Sequence, residues 1–98
     1  MAKLFKESMQ KIEIKLTSGT SIRLVPSIGQ RDTMVLAYSS DEIDIAFYLP
    51  ATTGNYNVLS NHISLGRYSQ ALQHAAYISA IESYKELMRG AAKLGLRA

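Results

Sequence analysis

The sequence predicts an α+β fold, in which an antiparallel meander of four or five strands is followed by one long C-terminal amphipathic helix packed on one face of the sheet. Two observations predict it. Between Lys11 and Pro50, apolar residues alternate with polar ones in short runs that turn-forming residues separate, as in half-buried strands. From about Ser64 the apolar residues adopt the helical period.

Length and composition indicate a single domain with its own core. The chain has 98 residues, of which 47% are hydrophobic and 19% are charged. A chain of this size buries roughly 60–70% of the surface that it exposes when unfolded. It contains no cysteine, which excludes disulfides and thiolate metal sites and is compatible with a reducing compartment. We divide the domain into an N-terminal arm (1–10), a sheet (11–63) and a helix (64–95).

The first two strands are predicted to form a hairpin. A three-residue loop, 18–20, brings the apolar residues of both strands to one face, and Gly19 supplies the positive φ that such loops need. In this register Lys15 lies opposite Arg23 on the solvent face of the sheet. Like charges placed directly opposite each other repel, so this pair points to an anionic partner.

Two further strands and a loop are predicted before the helix. Apolar alternation places the third strand around Met34, Leu36 and Tyr38, and the fourth around Ile43, Ile45, Phe47 and Leu49. The fourth strand ends at Pro50, because proline cannot donate to a ladder. Residues 51–57 are predicted to be a loop, and Val58, Leu59 and Ile63 a short fifth strand.

The predicted helix is apolar around about half of its cylinder, more than one small sheet requires. The outer part of the apolar arc consists of Tyr77, Ile81, Tyr84 and Met88. Exposed apolar patches of several hundred Å² are uncommon on monomers. We therefore expect these four residues to mediate self-association as a homodimer. The N-terminal arm and a strongly curved sheet are the alternative covers for this surface.

Candidate nucleic-acid-binding residues lie on the predicted solvent face of the sheet and in its turns. The formal net charge is +3 and the pI about 9.3, which suits an anionic partner. The candidates are Lys11, Lys15, Arg23 and Arg31 for phosphate groups, with Tyr48 and Tyr56 for stacking on bases. The alternative is a solvated face neutralised by Glu13 and Asp44, with tyrosines that pack or are singly exposed.

No motif in the sequence indicates catalysis, a metal site or a cofactor. His62 and His74 are not accompanied by cysteine or by paired carboxylates at ligand spacing. A P-loop, a dinucleotide-type glycine pattern and a nucleophile elbow are absent from the sequence. No apolar run approaches the ~18 residues that a membrane span needs. We expect a non-enzymatic protein without cofactors, located in the cytoplasm.

Two functional hypotheses follow. The first is a homodimeric protein that binds nucleic acid, with single-stranded DNA or RNA favoured, through the basic outer face of its sheet. In the order of its elements the chain resembles single-stranded nucleic-acid binders of the Whirly and transcriptional-coactivator type, in which strands precede a helix that dimerises. The second is an adaptor, regulator or assembly subunit that binds a larger protein through the apolar helix face.

Overall fold

The computed structural model describes residues 9–16 and 18–93. Within them, four strands form an antiparallel sheet in the order β1-β2-β3-β4, and two helices follow. The elements are β1 (Ile12–Lys15), β2 (Ser21–Pro26), β3 (Thr33–Ser39), β4 (Asp44–Pro50), α1 (Thr53–Ser64) and α2 (Tyr68–Lys93). The predicted α+β meander with a long C-terminal helix is confirmed. Most of the predicted arm (1–10) lies outside the described residues.

The register of the first hairpin differs from the prediction by two residues. Glu13 is the partner of Arg23, and Lys15 is the partner of Ser21. The predicted pairing of Lys15 with Arg23 is therefore wrong. Because the slip is an even number of residues, every side chain keeps its face of the sheet.

The loop of this hairpin explains the register. Its length is three residues, as predicted, but it connects Leu16 and Thr20, where the Leu16 N–H donates to the Thr20 carbonyl oxygen at 2.8 Å. Gly19, the residue before Thr20, is therefore the last residue of the loop, and its φ is 85°. Three-residue loops commonly place their left-handed residue there, after a type I turn.

Most of the segment 51–63 is helical, from Thr53 onwards, so the predicted loop and the fifth strand are both wrong. Thr52 caps α1: its hydroxyl oxygen accepts a hydrogen bond from the Asn55 N–H at 3.1 Å. Leu59 and Ile63, four residues apart, are buried on one side of α1. Ser64 is the last residue of α1, so the predicted helix (64–95) begins instead at Tyr68; its residues 94–95 lie outside the described residues. Gly66, with a φ of 75°, separates α1 from α2.

The core lies between one face of the sheet and the two helices. Its largest fully buried side chains are Ile22, Leu24, Met34, Leu36, Leu49, Leu59 and Ile63. Burial of each such side chain contributes about 1.5–3 kcal/mol relative to exposure. Tyr38 packs against this core, as the alternation of β3 predicts. From α2 the alanines Ala71 and Ala75 are completely buried, which lets this helix approach the sheet closely.

Candidate interaction surfaces

The outer face of the sheet, opposite the core, is uncovered by any described element. Strand pairing places side chains on it in rows, and the central row contains Glu13, Arg23, Ala37 and Ala46. A second row contains Lys15, Ser21, Ser39 and Asp44. Beside the central row on its other side, Val25 and Val35 lead to Tyr48, which is 63% exposed. The side chains at the centre of this face are thus mostly small and apolar, and those towards β1 are charged.

The four candidate cations do not form a cluster. Arg23 faces Glu13, whereas the carboxylate in the row of Lys15, that of Asp44, lies three strands away, roughly 14 Å along the row. Arg31 lies in the turn between β2 and β3, at the opposite end of the sheet from Lys15. The length of β2, about 17 Å, separates the two ends. Lys11 is exposed just before β1.

The two candidate stacking tyrosines lie on different sides of the molecule. Tyr48 is on the outer face of the sheet, whereas Tyr56 belongs to α1 and packs against the core. The Tyr56 hydroxyl donates to the Gln10 carbonyl oxygen at 2.9 Å and accepts from the Gln10 N–H at 3.2 Å. Tyr56 therefore anchors the chain before β1, and the two tyrosines do not form one base-stacking site.

The side of helix α2 that docks on the core is apolar in the first half of the helix and charged in the second half. Ala71, Ala75 and Ile78 dock on the rest of the molecule and are all buried. Their spacing, extended by further turns of 3.6 residues, reaches charged positions only. There Lys85 pairs with Glu82 at 3.6 Å, and Arg89 pairs with Glu86 at 3.7 Å, both between exposed or half-exposed groups. The docked stripe therefore ends at Ile78, and the helix continues past the core.

The apolar residues of this second half lie on another side of the helix. Tyr77, Ile81, Tyr84 and Met88 are spaced by four, three and four residues, and we call this row the α2 seam. At 100° per residue its centre lies roughly 120° around the helix from the docked stripe. Tyr77 and Tyr84 are each 62% exposed and Met88 is 41% exposed, while Ile81 is half-buried. Leu87, 68% exposed, flanks the seam.

One feature that was not predicted from the sequence is the open edge of β4. In the described sheet β4 has a neighbour only on its β3 side. Ile43, just before this strand, is 46% exposed, and Ile45 within it is 37% exposed. The signal was present in the predicted topology, because the last strand of an open meander is an edge strand unless another segment pairs with it.

The described residues hold no group of three or more His, Asp or Glu side chains arranged to bind a metal ion. His62 lies in α1, and its Nδ1 is buried without a hydrogen-bond partner. His74 lies in α2, where its ring centroid is 6.1 Å from that of Tyr77. Among the described helices, none has the length and hydropathy to cross a membrane.

The chain matches no protein-family model, no curated protein and no solved structure. No solved structure therefore supports the resemblance in element order to Whirly-type and coactivator-type proteins.

Proposed function

We propose that this protein is a non-enzymatic assembly protein that works as a homodimer joined through the α2 seam. One observation carries the proposal: beyond Ile78 the side of α2 that docks on the core becomes charged, while the apolar residues move to the exposed seam. A helix that only completed its own core would keep its apolar residues on the docked side.

The seam has the spacing of a helix–helix contact. Steps of four, three and four residues keep apolar side chains on one line along a helix, as in two-helix packing. Aromatic side chains bury on the order of 150–250 Å² each, so Tyr77 and Tyr84, at 62% exposure, offer on the order of 200–300 Å² per copy. A specific interface buries about 800 Å² per partner, so the seam forms the centre of a larger contact.

Light scattering coupled to size exclusion tests the dimer. The wild-type protein should have twice the mass of its chain, and Ile81→Asp should have the mass of one chain, because a buried unpaired carboxylate is costly. Ser83→Asp is the matched control, since it adds the same charge at an exposed position about 130° from the seam centre. Tyr84→Ser removes apolar surface without adding charge and should weaken the dimer. A monomeric wild type, or a dimeric Ile81→Asp, contradicts the proposal.

A second candidate function is the binding of single-stranded nucleic acid on the outer face. The observation that favours it is the uncovered face itself, where Tyr48 is 63% exposed on the same side of the sheet as Arg23 and Lys15. A base stacked on the tyrosine would place neighbouring phosphates towards β2 and β1. Glu13 and Asp44 on the same face reduce the attraction, and for this reason we place this function second.

Fluorescence anisotropy of a labelled single-stranded oligonucleotide at two salt concentrations tests this candidate. The double variant Lys15→Ala, Arg23→Ala should bind more weakly, and the slope of log K against log salt should fall by about 1.4. Arg67→Ala combined with Lys85→Ala is the control, because it removes the same charge away from the sheet. Equal losses in both double variants would indicate attraction by net charge alone and would contradict a site on the sheet.

A further inference from the structure

The open edge of β4 has a defined hydrogen-bonding pattern. The Ser40 N–H donates to the Ile43 carbonyl oxygen at 2.8 Å, and the Ala51 N–H donates to the Asp32 carbonyl oxygen at 2.9 Å. Both pairs continue the register between β3 and β4. Antiparallel partners alternate between bonded and non-bonded pairs, so the odd-numbered residues of β4 bond to β3.

The even-numbered residues of β4 consequently direct their backbone groups away from β3. The N–H and C=O groups of Asp44, Ala46 and Tyr48 face the open side of the sheet. Pro50, which has no N–H, ends this row. Three successive residues with outward donors and acceptors are a template for another strand.

The other edge of the sheet is different. Strand β1 is four residues long, and its exposed side chains are charged, with Glu13 and Lys15 in the strand and Lys11 just before it. Short charged edges resist pairing with another chain. Strand β4 is seven residues long, with one charged residue, Asp44, at its start and Pro50 at its end. The five residues between them carry no charge, so the β4 edge is longer and less charged than the β1 edge.

We propose that the second copy of the chain adds along this edge, so that β4 pairs antiparallel with β4 of the partner subunit and the two sheets become one of eight strands. The pairing rests on the homodimer proposed above. A two-fold axis beside Ala46 opposes the two copies of this residue and pairs Asp44 with Tyr48 of the partner subunit. This register uses all three outward-facing residues.

The same two-fold axis brings the helices together. An axis perpendicular to the sheet reverses the direction of every element that lies parallel to the sheet, so the α2 helices also run antiparallel. Helix α2 packs on β4 and β3, the half of the sheet next to the open edge. The two copies of α2 would thus lie on the same side of the joined sheet, and the seam contact of the proposed homodimer would add to the edge contact.

Half-covered side chains on the core face of β4 also fit this arrangement. Ile45 is 37% exposed, and Phe47 is half-buried although it packs against the core. In the proposed register Ile45 becomes the neighbour of Phe47 of the partner subunit. A cross-strand aromatic–aliphatic pair of this kind is favourable, and it would complete the burial of both side chains.

Ala46→Pro is the direct test, because it removes an N–H that does not bond to β3 and adds its ring on the open side. We expect its mass to fall from two chains to one, with the far-UV circular dichroism of the wild type retained. Ala46→Thr keeps the N–H and should remain dimeric. A folded, dimeric Ala46→Pro overturns the edge pairing. If Ile81→Asp is dimeric and Ala46→Pro monomeric, the seam fails and the edge stands; the reverse result leaves the seam standing.

Disulfide formation by an introduced cysteine tests the β4–β4 pairing if Ala46→Pro does not fold. The chain contains no cysteine, so a single introduced thiol can react only with its copy. Bonded antiparallel partners lie about 5.5 Å apart at Cα, within disulfide range. Oxidised Ala46→Cys should therefore run as a covalent dimer, whereas Ala37→Cys, one strand further from the edge, should not. Equal yields from both variants, or none from Ala46→Cys, contradict the pairing.

Discussion

The two halves of α2 differ in what their apolar residues do. In the first half, Ala71, Ala75 and Ile78 are small or medium-sized and buried against the rest of the molecule. In the second half, Tyr84 and Leu87 are large and more than 60% exposed. A helix of 26 residues is about 39 Å long, whereas a strand of seven residues spans about 23 Å. The helix is thus longer than the sheet on which it packs, and its second half needs a different partner.

This difference shows that charge placement is as informative as apolar content. Across the whole helix, apolar residues occupy about half of the cylinder and suggest one wide face. Glu82, Lys85 and Glu86 lie outside that apolar half, on the docked side, where they follow Ala71, Ala75 and Ile78 as soon as the helix leaves the core. The seam can therefore be recognised as a separate surface and not as the margin of the core.

Truncation of one residue in each half should give the largest contrast. Ile78→Ala removes a side chain that is 7% exposed and should lower the free energy of unfolding by about 2–5 kcal/mol. Leu87→Ala, at a 68% exposed position, should change it by less than about 0.5 kcal/mol. Urea denaturation of both variants in the monomeric Ile81→Asp background measures the two values. Similar losses would show that the second half also docks on its own core.

Two glycines, one before α2 and one in its second half, should change the stability in opposite directions when replaced by alanine. Gly66 has a φ of 75°, so Gly66→Ala should destabilise the fold by roughly 1 kcal/mol through strain at the helix junction. Gly90 lies in the second half of α2, with open space where a Cβ would be. Gly90→Ala should raise the helical signal and add up to about 1 kcal/mol. Thermal melts followed at 222 nm measure both; the same sign for both would contradict this view of the junction.

The sequence predicted the strands better than their register. Alternation of apolar and polar residues located all four strands and the face that each side chain occupies. It could not distinguish the predicted register from the observed one, because a slip of two residues leaves each side chain on its face. The position of Gly19 contained the missing information, since the left-handed residue of such a loop comes last.

Helix α1 was missed because its apolar residues are few. Val58, Leu59 and Ile63 are compatible with a short strand as well as with one side of a helix. The Thr52 cap was the available signal. The error changed the candidate site, since a loop would have left Tyr56 exposed, whereas the helix directs it to the core.

The smallest expected effect tests which stripe of the second half is the interface. Glu82 and Lys85 are 3.6 Å apart with side chains 44% and 58% exposed. A double-mutant cycle with Glu82→Ala and Lys85→Ala should give a coupling of about 0.2–0.5 kcal/mol, reduced further in 1 M salt because the pair is open to solvent. The value should be equal in the wild-type dimer and in Tyr84→Ser diluted until it is monomeric, a background that adds no carboxylate four residues before Lys85. A coupling that rises above about 1 kcal/mol and resists salt in the dimer alone would mean that the partner covers the charged stripe, and the seam would lose its role.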